Sequence, residues 1–268
     1  MKKPVCLFTI QRDEYIFLPL WAKYYSQFIP EEDIYVFDHS STLNLNHVKT
    51  GWPKIQWRKV EHDTWNDLGW YASAVSSLLS EFLKTYTLVA FIACDEFIYA
   101  PNGFRETIEK HQNPVIYPLG YEICEQPGEA PIDWTKSILS QRRFWNDNTL
   151  FFSKPAFCRV PVSFTLGCHD IDGSKDPAFG LIHRHIPMPS TGLFDCGKCL
   201  RTPDMICVHL HRADMKSAIE KYSRARSYLK AAPVNAQELS RLTELLSKDV
   251  WNRPWQEIPQ DVIKANHF

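Results

Sequence analysis

Two carboxylates, Asp95 and Glu96, stand immediately after the apolar run 88–94. Acids at the end of a buried strand are costly unless positive charge compensates them, and a divalent cation is the usual partner. The plainer alternative is a strand-end turn with solvated acids. Farther along, Ile206-Cys207-Val208-His209-Leu210-His211-Arg212 alternates as a strand does. His209 and His211 would then leave one face, so one ion or one phosphate could meet both, although a pair of exposed strand histidines has the same pattern. A second metal chemistry competes for His209. Cys196, Cys199, Cys207 and His209 are ligands of the kind that hold tetrahedral structural zinc, against a chance Cys-x-x-Cys in a chain with eight cysteines. Two polar loops complete the set: Gln11-Arg12-Asp13-Glu14 after the apolar run 5–10, and Asp38-His39-Ser40-Ser41 after the run 34–37.

The elements that must position these residues follow from periodicity. Runs 5–10, 34–37, 55–60 and 88–93 read as strands, the last wholly apolar. Phe17, Leu18, Trp21, Tyr24, Tyr25 and Phe28 recur at helical spacing, as do Tyr71, Ala74, Val75, Leu78, Leu79 and Phe82 within a helix expected over 68–83. This βαββαβ order predicts an α/β fold, a mostly parallel central sheet with helices on both faces. Such a sheet binds ligands at the carboxyl ends of its strands, where loops 11–14, 38–41 and 94–97 would all emerge. The stretches 118–131 and 157–189 read as long loops with short strands, and loops of that length in a compact domain are usually functional. Helical pattern returns at 213–231 and again from Asn235, which with Glu238 forms a capping-box pair. The organisation expected is a ligand-binding domain over 1–212 and a C-terminal helical extension over 213–268.

Composition narrows the classes. The 268 residues are 44% hydrophobic and 13% aromatic, too apolar for a disordered chain. Thirty basic against 31 acidic residues leave a net charge of −1, so no global field favours nucleic acid or an anionic membrane. No apolar run approaches the roughly 20 residues that span a bilayer, and the short run at 5–10 lacks a cleavage site, which reads as cytoplasmic. Cysteines in that compartment are thiols or metal ligands, and Cys6 and Cys94 read as small hydrophobic core residues.

Taken in order, the loop 11–14, the aromatic helix with Trp21, Tyr24 and Tyr25, the loop 38–41 and Cys94-Asp95-Glu96-Phe97-Ile98 resemble the family 2 type of glycosyltransferase, in its bacterial Asp-Glu-Phe branch. The resemblance covers residues 5 to about 212. It implies a GT-A-like nucleotide-sugar fold and transfer of a sugar from a nucleotide donor, UDP-linked, to a hydroxyl acceptor with inversion. It implies further that Gln11, Arg12 and Glu14 frame the base and that Asp38 meets base or ribose. Asp95 matches the second Asp of the metal motif, whose first Asp is Ala93 here, so Mn²⁺ or Mg²⁺ is expected to bind weakly, through Asp95 and Glu96 with His209 and His211. Arg212, and the following helix with Lys216, resemble the tail that returns to the diphosphate. Inverting transfer needs a carboxylate to take the acceptor proton. Asp170 is the candidate, with Asp172 and Glu122 as competitors and an Asx turn before Gly173 as the structural alternative. Trp65, Trp70, Tyr71, Trp134 and Trp145 are core or sugar-stacking rings. Arg142-Arg143 beside Phe144-Trp145 is a solvated turn or a nucleic-acid contact. The acceptor is a glycan or, as an alternative, a modified DNA base; a second alternative is a zinc-stabilised, non-catalytic binding module on a degenerate transferase fold.

Overall fold

A computed structural model describes residues 1–62, 67–146, 152–175, 194–195, 198–228 and 255–265. The first strands are parallel: β1 (Lys3–Gln11) lies between β2 (Ile34–Asp38) and β4 (Tyr86–Phe91), and β3 (Gln56–Lys59) extends the sheet beyond β2. Alternation along these strands feeds two cores. On β1 and β4, Leu7, Leu88 and Ala90, with Ile92 just past the end of β4, face one side, while Cys6, Phe8, Ile10, Val89 and Phe91 face the other. Helix α1 (Phe17–Tyr25) packs Leu18, Trp21, Ala22 and Tyr25 on the first side. Helix α3 (Leu68–Phe82) packs Ala72, Val75 and Leu79 on the second, and Asp67 caps its start by accepting from the Trp70 amide at 2.8 Å. The short α2 (Asn46–Gly51) adds Val48 to the α1 side. A doubly covered sheet needs apolar residues on both faces of its strands, and the uninterrupted apolar runs at 5–10 and 88–93 supply them.

Beyond β4 the sheet changes character. The two-residue strand β8 (Phe157–Cys158) runs antiparallel to β4 and to β6 (Val115–Cys124). Two strands antiparallel to the same neighbour run in the same direction, so β6 is aligned with β4. The long β10 (Cys199–Arg212) is parallel to β6, and the carboxyl ends of β1, β2, β4, β6 and β10 therefore gather at one edge. Antiparallel pairs complete the sheet: β5 (Glu96–Tyr99) and β9 (Phe194–Asp195) on β10, β7 (Phe144–Asn146) on β6, and β11 (Trp255–Glu257) on β7. The parallel expectation thus holds for the block β3-β2-β1-β4.

Helix α4 (Phe104–Lys110) links β5 to β6. Helix α5 (Met215–Tyr228) follows β10, and α6 (Gln260–Ala265) lies near the end of the chain. The segment expected as a purely helical extension also contributes the strand β11. The helix expected from Asn235 lies outside the described residues.

One glycine is required by close packing. Between the stretches of β6 edge taken by β8 and β7, the segment 152–154 crosses at Gly120, whose amide donates to Ser153 Oγ at 2.9 Å. A Cβ at Gly120 would sit 2.2 Å from the Phe152 carbonyl carbon and 2.4 Å from the Ser153 nitrogen. These are backbone atoms that cannot rotate away. Gly120→Ala is therefore expected to lower the unfolding free energy by about 1–3 kcal/mol, the usual cost of overpacking, and with it the urea midpoint. The control Gly51→Ala, which meets nothing within 4 Å, should leave the midpoint nearly unchanged. Equal midpoints for the two variants would contradict the packing argument.

Candidate functional site

Asp95 leaves the end of the β4 segment and is fixed by its own backbone, its carbonyl accepting from the Leu210 amide at 2.8 Å. The aromatic face of α1 holds the same stretch. Tyr24 Oη donates to the Ile98 carbonyl at 2.8 Å, and Tyr25 Oη donates to the Glu96 carbonyl at 3.1 Å and accepts from the Ile98 amide at 2.9 Å. Tying β10 to Asp95 brings its alternate residues over the carboxylate. Asp95 Oδ2 lies 3.1 Å from His211 Nδ1 and 3.8 Å from His209 Nε2. Lys221 of α5 places Nζ 2.9 Å from the same oxygen and 2.6 Å from Glu14 Oε1.

These groups line a cleft of about 350 Å³ together with Tyr71, Ala93 and Lys154. One ligand atom each from Asp95, His209 and His211 can be chosen so that all lie within 4.8 Å of one another, close enough for the three to hold one cation. The donor set of one carboxylate and two imidazoles fits a borderline divalent ion.

The charges are mutually determined. Burial alone would raise the Asp95 carboxyl, but Lys221, then His209 and His211, outweigh it and hold it well below the usual carboxylate range. Burial pushes His211 down to about 4, Lys221 adds to that, and the Asp95 hydrogen bond opposes it. Burial raises Glu14 and Asp95 reinforces the shift, while Lys221 works against it. Burial would lower Lys221, yet Asp95 and Glu14 together keep it raised and charged.

Glu96 faces a different partner. Its Oε1 pairs with Lys154 Nζ at 2.5 Å and its Oε2 accepts from the Ala93 amide at 3.1 Å, so the acid holds a buried lysine in the cleft and lies outside the three-ligand group. Phe152, two residues before Lys154, stacks on His209 with ring centroids 4.0 Å apart. Behind the imidazoles, Glu122 lies 3.5 Å from His209 Nδ1 and 3.3 Å from Arg212 Nη1, so Arg212 is anchored beside the histidine pair.

The loops after β1 and β2 form the adjoining cluster. Gln11 Nε2 donates to Asp38 Oδ1 at 2.8 Å and to Ser41 Oγ at 3.1 Å. Ser41 Oγ also accepts from the Asp13 amide at 2.9 Å, and Gln11 Oε1 accepts from the Glu14 amide at 3.2 Å. Asp13 and Ser40 adopt φ of 55° and 53°, a left-handed conformation that is uncommon for residues with a Cβ. Asp13 is held there by accepting from the amides of Thr42 and Leu43, each at 2.7 Å. Such local strain, held by surrounding bonds, clusters at ligand sites.

Asp170 Oδ1 accepts from the Ile171 amide at 2.8 Å and from Tyr117 Oη at 3.2 Å; its neighbour Gly167, in the same segment, lines the cleft. Asp172 accepts from Ser174, as an Asx turn does. The zinc set is corrected. Cys199 and Cys207 pair with Val115 and Gly120, five positions apart along β6. At about 3.3 Å per residue they stand about 16 Å apart, far beyond what one tetrahedral ion spans. His209 faces Asp95 instead, Cys199 belongs to the α3-side core, and Cys196 lies outside the described residues.

Arg142 is buried, donating through Nε to the Ala213 carbonyl at 2.7 Å, while Arg143 pairs with Glu257, so this doublet does not form a basic face. Trp134 packs edge-on against Phe17, Trp145 stacks on Tyr121, and Trp70 lies against His39 and His62, whereas Trp65 lies outside the described residues. Lys216 is exposed. Lys221 and Lys154 escaped the sequence reading. Lys221 lies three residues after the buried Ala218 on the apolar register of α5, and a lysine at such a position is the signal that could have found it.

No protein family and no curated protein matches the chain. Among solved structures, residues 1–349 of S. aureus TarS are 13% identical with a TM-score of 0.38, over 91% of this chain and 69% of that one. A second structure of S. aureus TarS is 15% identical with a TM-score of 0.39, over 92% of this chain and 43% of that one. GalNAc-T7, solved with UDP, GalNAc and Mn²⁺, is 13% identical with a TM-score of 0.41, over 91% of this chain and 54% of that one. Among the described residues no helix is long and apolar enough to cross a membrane.

A pH dependence follows from the buried histidines. Burial lowers His39 from its ordinary 6.5, against the hydrogen bond from its ring to the His62 carbonyl. A folded pKa below the unfolded one means that the unfolded chain binds more protons in the interval between them, so stability falls as pH drops through about 6.5. His211 acts with the same sign. The denaturant midpoint should be lower at pH 5.5 than at pH 7.5, and His39→Gln should reduce that difference without abolishing it. An unchanged difference in the variant would show that His39 does not contribute.

Proposed function

We propose that the chain is a cytoplasmic glycosyltransferase of the GT-A type, moving a sugar from a UDP-linked donor to a hydroxyl acceptor with inversion. The observation that carries this reading is the convergence of Asp95, His209 and His211 within 4.8 Å at the sheet edge that also bears loops 11–14 and 38–41. Ligands of such sheets bind at that edge. A departing nucleoside diphosphate gathers negative charge, and fixed positive charge at that point lowers the barrier. When bound by these three side chains, a divalent cation would supply that charge, and two imidazoles among the donors favour Mn²⁺ over the oxygen-preferring Mg²⁺.

In this reading Gln11, Arg12 and Asp38 receive the nucleoside, and Arg212 adds positive charge on the diphosphate side. Glu14 and Glu96 serve indirectly, holding Lys221 and Lys154 in the cleft. A single displacement at the anomeric carbon breaks the bond to the diphosphate as the acceptor oxygen attacks, and a carboxylate must take the acceptor proton. The carboxylates lining the described cleft, Asp95 and Glu14, are both engaged by Lys221. Asp170, on the segment whose Gly167 forms the cleft wall, is the proposed base.

The test is release of UDP from UDP-GlcNAc and UDP-glucose in the presence of Mn²⁺. Asp95→Ala should remain folded and lose at least about 100-fold in turnover, the scale of removing a major electrostatic group. Asp170→Asn should retain UDP binding and lose turnover. Wild-type rates in Asp95→Ala would sink the assignment, and wild-type rates in Asp170→Asn would remove Asp170 as base.

A further inference from the structure

Asp95 Oδ2 is claimed twice. It is the oxygen nearest the two imidazoles, 3.1 Å from His211 and 3.8 Å from His209, and it is also the oxygen on which Lys221 Nζ rests at 2.9 Å. An ion bonded to this oxygen at about 2.1 Å and to the imidazoles must enter the space that the ammonium borders, and two cations repel strongly at such a separation.

The ammonium has a second seat. Glu14 Oε1 is nearer than Asp95, at 2.6 Å, and the Phe17 ring lies 5.5 Å from Nζ, a cation–π distance on the α1 side of the cleft. The start of α5 is pinned independently of Lys221. The Ser217 amide donates to Asp214 at 2.8 Å and the Met215 amide to Glu125 at 2.8 Å, so the side chain can change partners without moving the helix start.

We propose that Lys221 is a displaceable resident cation: its ammonium holds Asp95 in the metal-free protein, yields that oxygen to a divalent ion, and shifts wholly onto Glu14. The inference rests on reading Asp95, His209 and His211 as a cation site and is independent of which sugar is moved. It accounts for a buried acid that stays ionised with no metal bound, because the chain carries the neutralising charge itself. It also leaves a monovalent cation in the cleft beside the ion, available to an anionic ligand.

The test is Mn²⁺ binding to the nucleotide-free 268-residue chain, read by the electron paramagnetic resonance signal of free aqueous Mn²⁺. Lys221→Met should bind Mn²⁺ at least about tenfold more tightly than wild type, the scale of one relieved like-charge repulsion near a protein surface. Glu14→Gln should bind it more weakly, because the displaced ammonium loses its seat. In the Lys221→Met background, adding Glu14→Gln should have a clearly smaller effect. Equal or weaker binding by folded Lys221→Met overturns the proposal, as does an equal Glu14→Gln effect in both backgrounds. Should Lys221→Met fail to fold, Glu14→Gln decides alone, and equal or tighter Mn²⁺ binding overturns the proposal. Absence of Mn²⁺ binding by wild type and both single variants at millimolar concentration overturns it too. UDP release is a separate readout: metal results that fail while turnover persists reject the displaced lysine and leave the transferase reading standing.

Discussion

The buried charge of Asp95 is the constraint around which the described structure is arranged. A carboxylate taken out of water is stable only with positive charge and hydrogen bonds close by, and here two elements supply them. Strand β10 brings His209 and His211, helix α5 brings Lys221, and the Leu210 amide holds the Asp95 backbone. Because Glu14 shares the lysine, the loop after β1 is drawn into the same balance. Removing any one partner leaves the others with uncompensated charge, so the cleft is expected to respond as a unit.

The sheet makes this convergence possible. Without β8 between them, β4 and β6 would have no antiparallel neighbour in common, and the alignment that brings β10 to the same edge would be lost. Gly120 then allows the segment 152–154 to lie directly on β6, which delivers Phe152 to the His209 ring and Lys154 to Glu96. A second cation and an aromatic wall thus depend on the absence of one methyl group.

Much of this was legible in the residues alone. The runs at 5–10 and 88–93 announced strands buried on both faces, and the aromatic stripe from Phe17 announced the helix that covers one of them, because local periodicity and burial agree there. Asp95 and the His209/His211 pair were legible because an acid after an apolar strand and a His-x-His alternation carry chemistry in short spacing. Lys221 and Lys154 were not, since a lone lysine on a helix or loop acquires meaning only from what the fold sets opposite it. The zinc reading failed for the converse reason. Cys199 and Cys207 are near in sequence, but an extended strand holds them apart. The antiparallel half of the sheet was also hidden, because pairings such as β5 with β10 join residues more than a hundred positions apart.

The proposed transfer depends on a divalent cation held by Asp95, His209 and His211 next to a nucleoside diphosphate. Electron spin-echo spectroscopy of the protein with Mn²⁺ and UDP measures this directly, because it detects the nuclei coupled to the bound ion. Couplings from two imidazole nitrogens are expected together with phosphorus couplings from the diphosphate, and the nitrogen couplings should be lost in the double variant His209→Gln/His211→Gln. A wild-type spectrum showing phosphorus without imidazole nitrogen, or Mn²⁺ bound only to water, would contradict it.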